Sequence, residues 1–206
     1  THFLWAYKYN ITIHNEYIMI HDLFKVPIYQ VQLNLDNQKL HNFCKKHQTK
    51  NSGRVFSNVG GYQSNELDLN KSTLSPLLKE IQNHSNIFVK EFASTNKISL
   101  SEMWTNINSY GDTNISHCHP GSTISGVYYV KTPNECGNIV FESPAKTVLN
   151  YYNNKRSQEL NAYNASDWWL PSNESILYLF PGWLNHYVEP NLNKTEERIS
   201  FSFNAY

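Results

Sequence analysis

The residues best suited to chemistry sit in three short blocks: His117-Cys118-His119, a lone His186, and Arg198-Ile199-Ser200. On a β-strand, residues i and i+2 project to the same side. His117 and His119 are therefore expected to point together into one cavity, with Cys118 facing away. A third imidazole, His186, arriving from a distant strand would close one face of a metal's coordination shell. Neutral imidazole binds Fe(II), Zn(II), Cu(II) and Ni(II) alike, so these residues leave the metal open. Arg198 follows His186 by twelve positions (198 minus 186). Alternation puts Arg198, Ser200 and Ser202 on one strand face and Ile199, Phe201 and Phe203 on the other. A planar guanidinium beside a hydroxyl is a bidentate clamp for a carboxylate. The chemistry allowed is a metal and a carboxylate held side by side. Each piece alone has a plainer reading: polar residues at a sheet end, a structural histidine, a surface arginine paired with Glu196 or Glu197.

Elements must bring these blocks together. Met103 to Asn108, Thr123 to Lys131, Gly137 to Glu142, Ser175 to Phe180, His186 to Glu189 and Arg198 to Phe203 read as short strands. Turn residues such as Pro120-Gly121, Thr132-Pro133-Asn134 and Pro181-Gly182 separate them. Upstream, Phe24 to Leu33 alternates in its second half like another strand. Asn37 to His47 predicts a helix, with Leu40, Phe43 and Cys44 on one face. Ser72 to Phe92 predicts a longer one, with Leu77, Leu78, Ile81, Phe88 and Phe92 as its apolar face and Ser72 or Ser75 as its cap. Arg54 to Leu67 reads as a loop around Gly60-Gly61. Ala145 to Asn173 is a long polar and aromatic insertion, expected to act as a lid or binding loop over the substrate through Tyr151, Tyr152, Tyr163, Trp168 and Trp169. Short strands with regular turns predict a mainly β (α+β) fold: a double-stranded β-helix, or jelly roll, of cupin-like form with flanking N-terminal helices.

Composition narrows the partners. The 206 residues suit one domain, expected over 19–206, with 1–18 as an N-terminal extension of uncertain origin and Met19 a natural start. Lys plus Arg balances Asp plus Glu at 17 each, which points away from a nucleic-acid partner. No apolar run reaches the roughly 18 residues a membrane helix needs. Three widely spaced cysteines, Cys44, Cys118 and Cys136, fit a reducing, cytoplasmic setting better than a disulfide framework. His2, His14, His21, His41, His47 and His84 stand without ligand-like company.

Five blocks in order then carry a resemblance: His117-Cys118-His119-Pro120-Gly121, Ser125 to Val130, Gly137 to Glu142, Leu179 to His186, and Glu197 to Asn204. Together they resemble the 2-oxoglutarate/Fe(II)-dependent dioxygenase superfamily, with bacterial and phage 2OG-Fe(II) oxygenases the nearest branch and prolyl hydroxylases more distant. The resemblance runs from about Phe24 to Tyr206 and is strongest from Asn106 onward. It implies Fe(II) held by His117, His119 and His186, with 2-oxoglutarate and O2 as cosubstrates. It implies Arg198 and Ser200 on the distal carboxylate of 2-oxoglutarate, Tyr129 on the same carboxylate, and Asn106 and Asn108 steadying the cosubstrate. Tyr128 is expected to pack outward, and Trp104 and Trp183 to be core or pocket wall. The reaction implied is hydroxylation of a C–H bond with release of succinate and carbon dioxide. The substrate would be a small molecule or a peptide, with prolyl-type hydroxylation the leading analogy; a homodimer is left open. One departure stands out. The superfamily pattern is His-x-Asp/Glu, and His119 occupies the carboxylate position, which leaves the iron more positive. Asp112 is the nearest acidic alternative. That departure keeps two other readings open: a cupin-like metal-binding protein without catalysis, and a three-histidine dioxygenase independent of keto acid.

Overall fold

The computed structural model describes residues 10–13, 16–19, 21–93, 97–153 and 159–206, the first two segments and 152–153 by backbone alone. In chain order the elements are β1 (Asn10–Ile13), β2 (Glu16–Met19), β3 (Tyr29–Gln32), α1 (Asn37–Gln48), β4 (Asn58–Val59), β5 (Tyr62–Gln63), α2 (Ser75–Phe92) and β6 (Leu100–Asn108). There follow β7 (Thr113–His117), β8 (Ile124–Lys131), β9 (Ile139–Glu142), α3 (Lys146–Asn153), β10 (Asp167–Leu170), β11 (Ile176–Pro181), β12 (His186–Val188) and β13 (Arg198–Ala205).

Two antiparallel sheets face each other. The larger has the order β3-β11-β8-β13-β6-β5 and the smaller β10-β9-β12-β7-β4. This is the expected mainly β jelly roll. Strand alternation sorts the side chains of the larger sheet. Ile199, Phe201 and Phe203 of β13, with Tyr128 and Val130 of β8 and Leu177 and Leu179 of β11, join Leu40 and Cys44 of α1 and Leu77, Ile81 and Phe88 of α2 in one buried cluster. The opposite face of the same strands gives Val127, Tyr129, Tyr178 and Phe180, which pack with Ile139 and Phe141 of β9 in a second cluster between the sheets. The helices thus cover one face of the larger sheet, and the other face closes on the smaller sheet.

The helices begin for different reasons. Asp36 caps α1 by accepting from the Lys39 amide at 2.9 Å. α2 has no side-chain cap: Leu74 holds the capping position, and Pro76 sits in the first turn, where a missing N–H costs nothing. The expected cap from Ser72 or Ser75 is therefore absent. The 145–173 insertion is less of a loop than expected. It contains α3, and its β10 pairs with β9 from Asp167↔Glu142 to Leu170↔Ile139. Within it Tyr151, Tyr163, Trp168 and Trp169 are exposed, while the side chain of Tyr152 lies outside the described residues. The segment before residue 19 forms its own two-stranded sheet, β1 with β2, and residues 1–9, 14 and 15 lie outside the described residues.

Candidate metal centre

β7 ends at His117, and its register partner across the smaller sheet is His186, the first residue of β12. The pairing sets the two rings side by side, with centroids 4.4 Å apart. Each ring is oriented by its own backbone. His117 Nδ1 lies 2.7 Å from the Ile115 carbonyl and His186 Nδ1 lies 2.9 Å from the Leu184 carbonyl. A carbonyl can only accept, so Nδ1 carries the proton in both rings and Nε2 keeps its lone pair for a ligand. Carbonyl anchoring of this kind is how metal-binding histidines are held.

His119 arrives by another route than strand alternation. It lies two residues beyond the end of β7, in the turn that leads to β8. Its amide donates to the Gly182 carbonyl at 2.8 Å and its carbonyl accepts from the Ser122 amide. The turn after β11 is thereby tied to the turn after β7. Gly182 must be glycine for this approach, because a Cβ there would overlap the carbonyl and hydroxyl oxygens of Ser122. The His119 ring sits 5.1 Å from His117 and 5.3 Å from His186. One nitrogen from each of the three rings lies within 4.8 Å of the others. Three imidazole nitrogens at that spacing can share one ion of the borderline-soft first-row type.

Burial keeps all three rings neutral. His186 is 4% exposed and burial holds its pKa well below the usual histidine value. His119 is pushed down to about 4 by burial and by the neighbouring His117, and His117 is lowered by burial against its bond to Ile115. Neutral imidazole is the form that ligates.

The residues expected to clamp a carboxylate line the same cavity. Arg198, at the start of β13, is 1% exposed. Its Nη1 donates to the carbonyls of Cys136 and Glu189, while its Nη2 is buried with no hydrogen-bond partner. The Tyr129 hydroxyl on β8 is also buried and unpartnered, as is the hydroxyl of Ser172 beside it. Burial raises Tyr129 to about 12 against the pull of the Arg198 guanidinium, so its O–H remains a donor. Buried donors that make no well-formed hydrogen bond cost about 1–3 kcal/mol each. A carboxylate between them would satisfy both, and the donor set fits the end of a keto acid. Ser200, Asn106 and Asn108 line the same cavity, paired in register as Arg198↔Asn108 and Ser200↔Asn106, with Ser200↔Tyr129 on the far side. The structure thus brings every expected site residue to one cavity.

Other expectations are corrected. Asp112 is not with the imidazoles: its carboxylate accepts from the Ser109 amide at 2.7 Å in the turn before β7. Tyr128 faces the helices as expected, its hydroxyl donating to Asn37 of α1 at 2.7 Å. Trp104 is a cavity wall 5.8 Å from the His119 ring, but Trp183 is 54% exposed on the turn and is not core. The remaining histidines within the described residues stay outside the cluster; His84, for one, bonds the Tyr29 hydroxyl. His2 and His14 lie outside the described residues. Ser57 and Asn114 also line the cavity and were not singled out, because nothing in a polar residue near a turn marks it as facing inward.

Residues 102–204, half of the chain, match the family described as "Putative 2OG-Fe(II) oxygenase". The chain belongs to this family. Its members are enzymes that use Fe(II), 2-oxoglutarate and O2. Among solved structures the chain is similar to a prolyl-4-hydroxylase of Pseudomonas putida, at 14% identity and TM-score 0.60, over 89% of this chain and 94% of that one. It is similar to the viral collagen prolyl hydroxylase of Paramecium bursaria Chlorella virus-1, solved with 2-oxoglutarate, at 12% identity and TM-score 0.57, over 86% and 94%. HygX of Streptomyces hygroscopicus, solved with nickel and 2-oxoglutarate, matches at 8% identity and TM-score 0.58, over 87% and 82%. At such identities these likenesses speak for the shared fold. No curated protein matches the chain in sequence. No described helix is long and apolar enough to cross a membrane.

Proposed function

We propose that this 2OG-Fe(II) oxygenase holds its metal through His117, His119 and His186 and the distal carboxylate of 2-oxoglutarate through Arg198 and Tyr129, and that it hydroxylates a C–H bond of a small molecule or peptide. Residues 19–206 act as the single catalytic domain. The observation that carries the reading is the pair of unpartnered buried donors, Arg198 Nη2 and Tyr129 Oη, in the cavity that the three imidazoles share. Iron held there would supply activation of O2: one oxygen atom would oxidise 2-oxoglutarate to succinate and carbon dioxide, and the other would enter the substrate C–H bond as a hydroxyl.

The chain's own residues bind, orient and exclude water. The Ile115 and Leu184 carbonyls fix two imidazoles with Nε2 inward. The Cys136 and Glu189 carbonyls hold the guanidinium so that one nitrogen remains for the keto acid. Ser200 adds a hydroxyl on the same face, and Asn106 and Asn108 steady the rest of the cosubstrate. Val127, Ile139 and Phe180 give the cavity an apolar wall that keeps bulk water out.

The test is anaerobic visible absorption of the protein with Fe(II) and 2-oxoglutarate, together with succinate release in air. The wild type develops a charge-transfer band and releases succinate; His119→Ala and Arg198→Ala lose both. Full band and turnover in either variant sinks the assignment. A second reading, keto-acid-independent three-histidine oxygenation, is favoured by the lack of any acidic side chain among the described residues lining the cavity. It requires O2 consumption without 2-oxoglutarate, and it gives Arg198 no task.

A further inference from the structure

Beyond the keto-acid clamp, the inner face of the larger sheet continues toward its β5 edge. Tyr129, Ser200, Asn106 and Gln63 are successive register partners across β8, β13, β6 and β5, and Arg54 forms an isolated bridge to Gln63. Directly paired residues of antiparallel strands project to the same face. These five side chains therefore form one row, from the clamp to the sheet edge. The half of the row away from the clamp is polar and unsatisfied. Gln63 is 4% exposed and its Oε1 has no partner; Asn106 Oδ1 and Arg54 Nε are buried and unpartnered too.

Arg54 is also held in place. Its guanidinium carbon lies 4.9 Å from the Phe56 ring centroid and 5.7 Å from that of Trp104, whose indole in turn lies 5.8 Å from His119. A guanidinium lying against aromatic faces keeps its N–H edge free to grip a carboxylate. Its one ionic neighbour among the described residues is weak. Glu66 Oε1 stands 3.8 Å from Nη1, on a side chain that is 61% exposed.

We propose that Arg54 anchors the carboxylate of the substrate, with Gln63 accepting a hydrogen bond from an N–H or O–H beside it. The substrate class is then a small α-amino or α-hydroxy acid. This rests on the proposed reading of the cavity, because the anchor matters only where a C–H bond is presented to the metal centre. A carboxylate fits better than a phosphate, because Arg198 is committed to the keto acid and a single guanidinium, Arg54, stands at the edge of the row, reaching the cavity through the Trp104 wall.

The experiment uses the full chain loaded with Ni(II) and 2-oxoglutarate. Calorimetry and ligand-induced thermal shift are read against a panel of free L-amino acids, the matching α-hydroxy acids, and the primary amide of each. For at least one acid, binding is expected to exceed that of its amide by about tenfold or more, as removal of a charge-assisted pair requires. Arg54→Met should erase that difference and Arg54→Lys should keep part of it. No acid binding better than its amide, or the same preference in folded Arg54→Met, overturns the proposal. Failure of the wild type to bind Ni(II) with 2-oxoglutarate at all instead sinks the reading of the cavity, so the two failures are distinguishable.

Discussion

Tyr128 and Tyr129 are neighbours in sequence, both fully buried on one central strand, and they lead opposite lives. The Tyr128 hydroxyl faces the helices and donates to Asn37; the Tyr129 hydroxyl faces the other sheet and makes no well-formed hydrogen bond, with the Ser172 hydroxyl beside it. The contrast holds over most of the larger sheet, Tyr62 Oη and Ser85 Oγ on the helix side being the exceptions. Its outer face is apolar and closed by α1 and α2. Its inner face carries Arg198, Ser200, Asn106 and Gln63, with four unpartnered polar atoms among Arg198, Asn106, Gln63 and Tyr129. An unpaired buried polar atom costs free energy that a fold gains nothing by leaving in place. A surface that collects them is one that expects a ligand. The outer face makes the protein stable, and the inner face holds stability in reserve for what it binds.

The strongest way to test that division is to damage the outer face. Phe201→Ala should lower the unfolding free energy by about 3–5 kcal/mol in urea titrations, because a fully buried ring is removed from a packed cluster. A loss under about 1 kcal/mol would mean that the helices do not carry the fold. Next in size, His186→Ala should weaken Ni(II) binding about a hundredfold or more by calorimetry, since ligand loss exceeds the effect of losing an outer partner.

Acid should act on the inner face of the metal-free protein. An unfolded histidine titrates near pH 6.5, and folded His119 only near 4. Above 6.5 neither state binds the proton and stability is flat. As pH falls from 6.5 toward 4 the unfolded chain takes up protons that the folded one refuses, so stability drops by roughly 1–3 kcal/mol. Melting temperature against pH reads this directly; a flat profile across that window would place the imidazoles in water.

The finest comparison uses the two tyrosines. Tyr128→Phe should cost about 1 kcal/mol by losing a satisfied hydrogen bond. Tyr129→Phe should be neutral or slightly stabilising without ligand, yet weaken 2-oxoglutarate binding about tenfold. Equal losses of stability in the two variants would erase the distinction between the faces.

Alternation made much of this readable beforehand. Ile199-Phe201-Phe203 and Arg198-Ser200-Ser202 separate in the sequence as they do in space, because a strand's period is fixed at two by its backbone. The same rule gave a wrong reason for His119, which is placed by the Gly182 carbonyl beyond the end of β7 and not by the pleat. β10 was hidden inside the 145–173 insertion, because an edge strand with Trp168 and Trp169 half exposed has no clear alternation. Trp183 was misjudged because a large apolar side chain on a turn has no period to show which way it faces. Arg54 and Gln63 carried no local signal, since each is an ordinary polar residue until β5 pairs with β6.

The sequence by itself determined which residue types face each way along each strand and which five blocks carry the likeness to the family. That information is local, set by covalent geometry and by side-chain chemistry. Only the tertiary structure decided that His117 and His186 stand in register, that the two turns tie His119 to them, and that the donors of Arg198 and Tyr129 are left without partners. Those facts depend on which distant strands pair and what each pairing leaves unsatisfied, and no stretch of chain contains its own partner.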